Sequence, residues 1–454
     1  FVLDWGGTIA LVCLARVGVR LYYETVRPLS PSGAKNLLII GTGDNAEAMV
    51  REIERMPEQI YRTVGLLDDD PGTWGRQIHG ISVLGGTGSI VKVCRERDVK
   101  EILIALHKPT RARLREVIER CQGANVQFRS VPDVQEVIAG RVKIANLPNI
   151  KISDLLGREE VSLDVDFIGN FLRGKRVMVT GAGGSIGSEM CRQIVRFEPA
   201  ELILVEQAEN PLFAIEQELI RGPFKRVPLA IHIADICDKV RIVKLFDRHK
   251  PHVVFHAAAH KHVPMMERNP GEAVKNNIRG TRTIADAAVA AGVGKMVMIS
   301  TDKAVRPTSV MGCTKRVAEM YVQQLSGRGA TEFITVRFGN VLGSSGSVIP
   351  IFQKQIADGG PVTVTHPEMT RYFMTIPEAC QLVMQAGAMG SGGQICVLDM
   401  GDPVKIVDLA KELITLSGYR PGEDIQIEFS GIRPGEKLYE ELSIEGEEIG
   451  RAHV

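Results

Sequence analysis

At 454 residues the chain is long enough for two or three domains. Its composition is that of an ordinary globular protein, 44% hydrophobic and 24% charged, and a formal net charge of +1 excludes a nucleic-acid partner held by bulk electrostatics. Eight scattered cysteines with no C-x-x-C pair exclude a close-spaced disulfide framework and read as reduced, mostly buried thiols.

Residues 1–21 are apolar but interrupted by Asp4, Arg16 and Arg20. The uninterrupted run 5–15 is shorter than the about 20 residues that span a bilayer, and no signal-peptide cleavage pattern follows it. Two readings fit: an amphipathic helix packed on the protein, or the cut end of a membrane helix with Arg16, Arg20 and Arg27 on the cytoplasmic side. A Pro/Ser/Gly linker follows at 28–33.

The first α/β unit then begins. Residues 36–40 (N-L-L-I-I) read as a buried parallel strand running into Gly41-Thr42-Gly43 and a helix over 46–56. This G-x-G-x-x-A turn has the form that opens a helix onto a phosphate. The next strand, 63–67, ends at Asp68-Asp69-Asp70, the distance at which an acid meets a ribose. Further elements are expected as a helix at 90–96, a strand at 101–105, a helix at 111–121 and a strand at 126–129. A lone motif of this kind is weak evidence for binding, so the role of this domain, 31–150, stays open. A connector occupies 151–172.

The second unit, 173–454, carries stronger signals. A strand at 176–180 meets Gly181-Ala182-Gly183-Gly184-Ser185-Ile186-Gly187 and a helix over 185–197. The glycines let the backbone turn sharply, approach a pyrophosphate and pack helix on strand. A strand at 201–205 ends at Glu206, nineteen residues after Gly187. A carboxylate there accepts from both ribose hydroxyls and repels a 2′-phosphate, which favours NAD over NADP. A strand at 228–233 leads to Asp235, placed for the adenine amino group, with Ile236 beside it. A strand at 252–255 leads to Ala257-Ala258-Ala259, small enough for the backbone to lie against the cofactor. Glycine loop, acid, second acid and small-residue turn arrive in order on successive strands, and their agreement indicates a dinucleotide site.

His256, His260 and His262 have a spacing that invites a metal, but no carboxylate set or cysteine supports one, and none is expected. Lys261 and the pair Asn276-Asn277 fall toward the nicotinamide end. A strand at 295–299 is followed by Thr301-Asp302-Lys303, a hydroxyl, an acid and an amine in a row, and by a helix opening near Val310 that carries Met311 and Lys315. Alone, this turn is a surface salt bridge. At the carboxyl end of a parallel strand beside a cofactor, it is where an open α/β sheet keeps its chemistry.

T-G-A-G-G-S-I-G-S-E (180–189), F-H-A-A-A-H-K-H-V-P (255–264), N-N-I-R-G-T (276–281) and S-T-D-K-A-V-R-P-T-S-V-M-G-C-T-K-R (300–316) resemble the extended short-chain dehydrogenase/reductase family. More narrowly, they resemble the bacterial membrane-associated nucleotide-sugar 4,6-dehydratases of capsule, O-antigen and protein-glycan biosynthesis. R-F-G-N-V-L-G-S-S-G-S-V-I-P (337–350), T-R-Y-F-M-T-I-P-E-A (370–379), R-P-G-E-K-L-Y-E-E-L (433–442) and stretches of the first unit extend the likeness over nearly the whole chain.

The resemblance implies an α/β fold of two Rossmann-like doubly wound domains, the second with a small substrate-binding part mainly from 338 on. It tips residues 1–30 toward the remnant of a membrane segment and a linker. It also implies NAD, a UDP-hexose such as UDP-N-acetylglucosamine, a homo-oligomer, and catalytic domains on the cytoplasmic side of the inner membrane. In the implied chemistry a hydride leaves C4, Lys303 removes the proton from C5, Asp302 protonates the departing C6 hydroxyl, and the hydride returns to C6. Thr301 would bond the C4 hydroxyl, and Lys315 would repel a proton from Lys303 and join the cofactor site. Met311 stands where the wider superfamily has a tyrosine that takes the C4 proton, which leaves Thr301, Asp302 or water for that task. Arg337, Asn340, Ser347 and Arg433 fall to the diphosphate end and Glu436 to the uridine ribose, while Lys261 and Asn276 complete the substrate side. A nucleotide-sugar epimerase and a non-catalytic nucleotide-sensing scaffold are the competing readings.

Overall fold

The computed structural model describes residues 16, 34–55, 60–106, 109, 111–124, 126–130, 165–224, 226–327, 329–444 and 449–451. The expected membrane remnant therefore lies, apart from Arg16, outside the described residues, as does most of the 151–172 connector. Among the described residues no helix is long and apolar enough to cross a membrane. The chain divides into two compact units between Gly157 and Arg158.

The first unit is a four-stranded parallel sheet in the order Tyr61–Leu67, Lys35–Ile40, Glu101–Ile104, Gln127–Ser130. Leu37 to Ile40 are wholly buried. The helix Asp44–Arg55 follows the first strand and turns Ala46, Met49, Val50 and Ile53 into the core, the three-to-four spacing of an amphipathic helix. The helices Ile90–Glu96 and Arg111–Gly123 complete the unit.

The second unit is built on eight parallel strands. Their spatial order is Ile449–Arg451, Ile395–Val397, Glu332–Arg337, Lys295–Ile299, Val253–His256, Arg176–Thr180, Glu201–Glu206, Leu229–Ile233. The central strands are continuous apolar runs because both faces are covered. Val177, Val179, Leu202, Leu204 and Val297 join one core, packed with Met190, Ile194 and Val383. Met178, Ile203, Val205, Met296 and Met298 join the other, packed with Phe246, Ile284 and Val322. The alternation along each strand is the period of two that a pleated backbone imposes. The chain runs outward from Arg176–Thr180 and then crosses back to Val253–His256. The crevice at the carboxyl ends of those two strands is therefore the topological switch point, where open sheets of this kind bind ligands.

Three expectations are refined. The helix of the glycine loop ends at Ile194 and continues only as a 3-10 turn, Val195–Phe197, because Glu198 turns left-handed and Pro199 cannot extend a helix. The stretch around Asn276 is a π-helix, Val274–Gly280, that passes into the α-helix Thr281–Ala290. Within the sequence-level connector, Val165–Leu172 is a helix whose Ile168 and Leu172 enter the second unit's core. Cys94, Cys121, Cys191, Cys237, Cys380 and Cys396 are buried free thiols, and Cys313 is exposed.

Candidate active site

The glycine loop leaves the strand Arg176–Thr180 and caps the helix Ser185–Ile194 through Gly184. A Cβ on Gly187 would sit 1.9 Å from the Gly181 carbonyl oxygen. Only glycine lets the helix approach so closely. Glu206 ends the next strand. Its Oε2 accepts from the Gly183 amide at 3.1 Å, and its Oε1 accepts from the Gln207 and Ala208 amides at 2.9 and 3.1 Å. Beside it opens a cavity of about 200 Å³ whose lining includes Gly184, Glu206, Ile236, Ala258, Ala259 and Asn276. Four successive strand ends thus meet at one crevice, which brings together an acid, a glycine turn, Ile236 and two alanines. Asp235 Oδ1 accepts from the Cys237 amide at 2.8 Å, which fixes the turn that brings Ile236 to the wall. A larger hollow of about 450 Å³ is lined by Arg176, Glu201, Arg248, His249 and Lys250. Arg176 and Glu201 begin their strands, so this hollow lies at the end of the sheet opposite the chemistry.

The acid and the base are brought together by a single tight turn. Thr301 caps the 3-10 turn Asp302–Ala304. Its hydroxyl donates to Asp302 Oδ1 at 2.8 Å, and Lys303 Nζ reaches the same oxygen at 2.9 Å. Asp302 is fully buried, and its Oδ2 has no hydrogen-bond partner. Lys303 Nζ also donates to Asn340 Oδ1 at 3.1 Å. The turn rests on the helix Val310–Leu325, which Ser309 caps by accepting from the Gly312 amide at 3.0 Å. A Cβ at position 312 would lie 2.2 Å from the Lys303 carbonyl oxygen, so glycine is required for that packing. One turn on, Lys315 Nζ donates to the Ile299 carbonyl at 2.7 Å. Burial pushes this amine down to about 8, against the opposing pull of Glu319. Met311 is buried with Val263, Met266 and Ala273, an apolar setting in which a thioether is at home.

Some residues assigned to the sugar-nucleotide end sit elsewhere. Arg337, expected near a diphosphate, is wholly buried and pairs with Glu319 at 2.7 and 2.9 Å. Glu319 in turn accepts from Ser300 Oγ at 2.6 Å. This is a buried pair that braces strand against helix. Asn340 is drawn to Lys303, as described. Arg433 is exposed, and its amide donates to Glu436 Oε2 at 3.4 Å, so the two residues form one turn. Ser347 opens the helix Val348–Ala357, and its hydroxyl is buried without a partner. The loop before it closes on the glycine loop, where Ser345 donates its amide to Ser185 Oγ at 3.1 Å. Lys261 is exposed between the strand Val253–His256 and the helix Val263–Arg268.

The histidines do not converge. His256 is buried with its ring nitrogens 2.7 Å from Thr180 Oγ1 and 3.0 Å from Thr281 Oγ1. Burial, with Lys315 adding to it, pushes its pKa down to about 3, so it is a neutral strut. Asn277 clamps the following loop, accepting from the His260 amide at 2.8 Å and donating to its carbonyl at 3.0 Å and to Thr314 Oγ1 at 3.1 Å. Its neighbour Asn276, expected on the substrate side, lines the crevice beside Glu206 and Ala258.

Sequence reasoning missed Glu440 and its support. Glu440 is buried, and burial together with the Asp302 charge raises its pKa, while Lys303, Arg371 and Lys437 pull the other way. Arg371 holds the preceding backbone by donating to the carbonyls of Lys437 and Leu438 at 2.8 and 3.2 Å. The available signal was an acid in the R-P-G-E-K-L-Y-E-E-L motif with no surface role assigned to it.

Comparison with known proteins agrees with this geometry. Residues 177–454 match the polysaccharide biosynthesis protein family, and residues 1–132 match a CoA-binding domain. The capsular polysaccharide biosynthesis protein CapD of Staphylococcus aureus is 48% identical over 94% of this chain and 72% of its own. An inverting UDP-N-acetylglucosamine 4,6-dehydratase of Campylobacter jejuni is 33% identical over 56% of this chain and 76% of its own. A UDP-glucose 4-epimerase of Rickettsia rickettsii is 35% identical over 61% and 80%. Among solved structures, Pen from Bacillus thuringiensis superposes with a TM-score of 0.57 at 36% identity, covering 60% of this chain and 84% of that one. With the family model matching more than half its length and CapD matching nearly all of it, the chain belongs to the polysaccharide biosynthesis protein family.

Proposed function

We propose that the chain is an NAD-dependent nucleotide-sugar 4,6-dehydratase that removes water from a UDP-hexose, with UDP-N-acetylglucosamine as the first substrate to test. The observation that carries this reading is the turn Thr301-Asp302-Lys303. It joins a buried acid and an amine 2.9 Å apart at a strand end of the same sheet whose neighbouring strand ends line the crevice of the glycine loop and Glu206. Gly181, Gly184, Ser185, Ile186 and Gly187 would hold the pyrophosphate. Glu206 would take the ribose, Asp235 and Ile236 the adenine, and Ala257 to Ala259 with Lys315 the nicotinamide end. NAD supplies a hydride acceptor for C4 and returns the hydride to C6.

The remaining work falls to the chain. Thr301 bonds the C4 hydroxyl and already donates to Asp302. A proton leaving that hydroxyl thus has a path to the Asp302 carboxylate, and the Met311 thioether takes no part. With C4 oxidised, C5–H is acidic; Lys303, entering as the neutral amine, removes its proton and gives it back to C5 once the hydride has reached C6. Asp302 then gives its proton to the C6 oxygen as the C6–O bond breaks and water leaves. Asn340 holds Lys303 in line for this step. Arg433 grips the diphosphate, with Glu436, Ser347 and Lys261 completing the substrate side.

Incubation with UDP-N-acetylglucosamine, followed by mass spectrometry, tests the proposal. Loss of one water without net NADH supports it. A second reading, 4-epimerisation, is favoured by the Rickettsia relative. An unchanged mass with inverted C4 would establish epimerisation and overturn dehydration. Epimerisation needs no acid–base pair for C5 and C6, so the buried Asp302-Lys303 pair weighs against it. We further propose that the enzyme works at the cytoplasmic face of the inner membrane. The likeness to an uncharacterized membrane protein of Methanocaldococcus jannaschii supports this, and fractionation of the native host tests it. Self-association through the helix Val310–Leu325 is proposed from its exposed Val317 and Met320, and sedimentation tests it.

A further inference from the structure

A second buried carboxyl group, Glu440, lies within electrostatic reach of the acid–base pair, and several bonds hold its segment in place. The segment that carries Glu440 is tied to the loop that leaves the catalytic turn. Lys437 Nζ donates to the Val305 carbonyl at 2.8 Å, Arg306 pairs with Glu441 at 2.9 Å, and Thr308 Oγ1 donates to the Gly435 carbonyl at 3.3 Å. From the other side Arg371 donates to the carbonyls of Lys437 and Leu438 and sits 3.8 Å from Glu440 Oε1. Glu440 is 8% exposed. The charged groups that face it are Asp302 and Lys303 on the catalytic turn, Arg371 on the strand Thr370–Arg371, and Lys437 on its own segment.

Two acceptor atoms in this nest lack donors: Oδ2 of Asp302 and Oε2 of Glu440. A buried acceptor without a donor costs about 1–3 kcal/mol. Two neighbouring carboxylates in one dry site cannot both stay ionised without mutual repulsion. One proton between them answers both problems, since it turns one orphaned acceptor into a donor for the other.

We propose that Glu440 is a positioning residue that keeps a proton at neutral pH and donates it in a hydrogen bond to Asp302, so that the two carboxyls hold one proton between them. The direction of the Glu440 shift, upward by burial and by the Asp302 charge, is the one this requires. The inference rests on the dehydratase reading for its consequence. In the resting pair Asp302 is the ionised member. It receives the C4 hydroxyl proton through Thr301, and the pair is briefly doubly protonated and neutral. It then passes one proton to the C6 oxygen as that C–O bond breaks, and the pair returns to one proton. No outside acid or base is consumed, and the proton lost from C4 is the one that leaves in water. The same bond aims the carboxylate: with Oδ2 engaged by Glu440, Oδ1 is left to Thr301 and Lys303.

Two variants and one spectrum test this on the full chain with its bound cofactor. Glu440→Gln keeps the shape and supplies a donor that cannot titrate. It is expected to turn over within about 10-fold of wild type, and to lose the fall in kcat/KM at alkaline pH that deprotonation of the pair produces. Glu440→Leu supplies no donor and is expected to lose about 10–100-fold in kcat, with cofactor content unchanged. A Gln variant with the wild-type alkaline fall, or a Leu variant with the wild-type rate, would overturn the proposal. Independently of any substrate, infrared difference spectra at neutral pH are expected to contain the C=O stretch of a protonated carboxylic acid in wild type. That band is expected to vanish in Glu440→Gln and to shift in Asp302→Asn. Its absence from wild type overturns the shared proton. A wild type that has the band but dehydrates no nucleotide sugar overturns the dehydratase reading alone.

Discussion

The two α/β units run the same local program to different ends. Each has a central strand, a glycine turn, a helix, and a second strand ending in acid. In the first unit two of the acids are engaged by side chains of the same unit. Asp68 Oδ2 accepts from Thr42 Oγ1 of the glycine turn at 2.6 Å. Asp69 accepts from the Thr87 amide and hydroxyl at 2.6 and 2.8 Å and pairs with Arg113. The hydroxyl and the charges are satisfied before any ligand arrives. In the second unit Glu206 is held only by backbone amides, and a cavity opens at its side. Individual glycines of the two turns also differ in the room around them. A Cβ on Gly43 would meet nothing within 4 Å, whereas one on Gly187 would strike the Gly181 carbonyl. A shared motif thus marks a shared fold, while the side chains that answer the acid differ between the two units.

The largest effects should fall on the acid–base turn of the second unit. Asp302→Asn and Lys303→Met are each expected to lower water release about 10²–10⁴-fold with NAD still bound, read by product formation and cofactor content of the purified protein. Normal turnover in either would remove the role assigned to it. Next is the buried cation. Lys315 titrates at about 8 in the folded chain against 10.5 as the ordinary value. Between those values the unfolded chain binds more protons, so stability rises with pH across that window. Below pH 8 the full cost of the buried charge is present, roughly 3 kcal/mol. Denaturant unfolding of the second unit from pH 7.5 to 10.5 should therefore show an increase in wild type that is absent in Lys315→Met.

Gly187→Ala should destabilise the second unit by about 1–3 kcal/mol and strip it of NAD. Gly43→Ala should change unfolding by less than about 0.5 kcal/mol. Equal effects at the two positions would dissolve the contrast between the units. The smallest separation concerns the acids. Glu206→Ala should weaken NAD binding measured by calorimetry, while Asp68→Ala should leave it unaltered and cost only about 1 kcal/mol of local stability.

Much of this contrast was legible in the sequence because it is local. The strands Arg176–Thr180 and Lys295–Ile299 and the start of the helix at Val310 fall where hydrophobic runs and a Ser cap put them. Glycine spacing and Glu206 lie within one β-α-β unit, whose geometry fixes their meeting. What escaped is long-range. Arg337 looks like a phosphate ligand until its partner Glu319, on a different element, is known. Asn340 falls to the diphosphate end in sequence, and only the sheet shows its bond to Lys303, 37 positions away. Glu440 is beyond local reasoning altogether, since the contact that seats its segment spans 132 positions. The left-handed Glu198 and the π-helix at Val274–Gly280 likewise depend on packing that no single window contains.

The tie between the 433–441 segment and the catalytic loop has a consequence for synthesis. A ribosome delivers the glycine loop, Glu206 and the catalytic turn well before it delivers Lys437 and Glu440. Only when the later segment docks does the loop that leaves the catalytic turn gain its ties to Lys437, Glu441 and the Gly435 carbonyl, so the last-made part of the chain completes the surroundings of a turn made long before it.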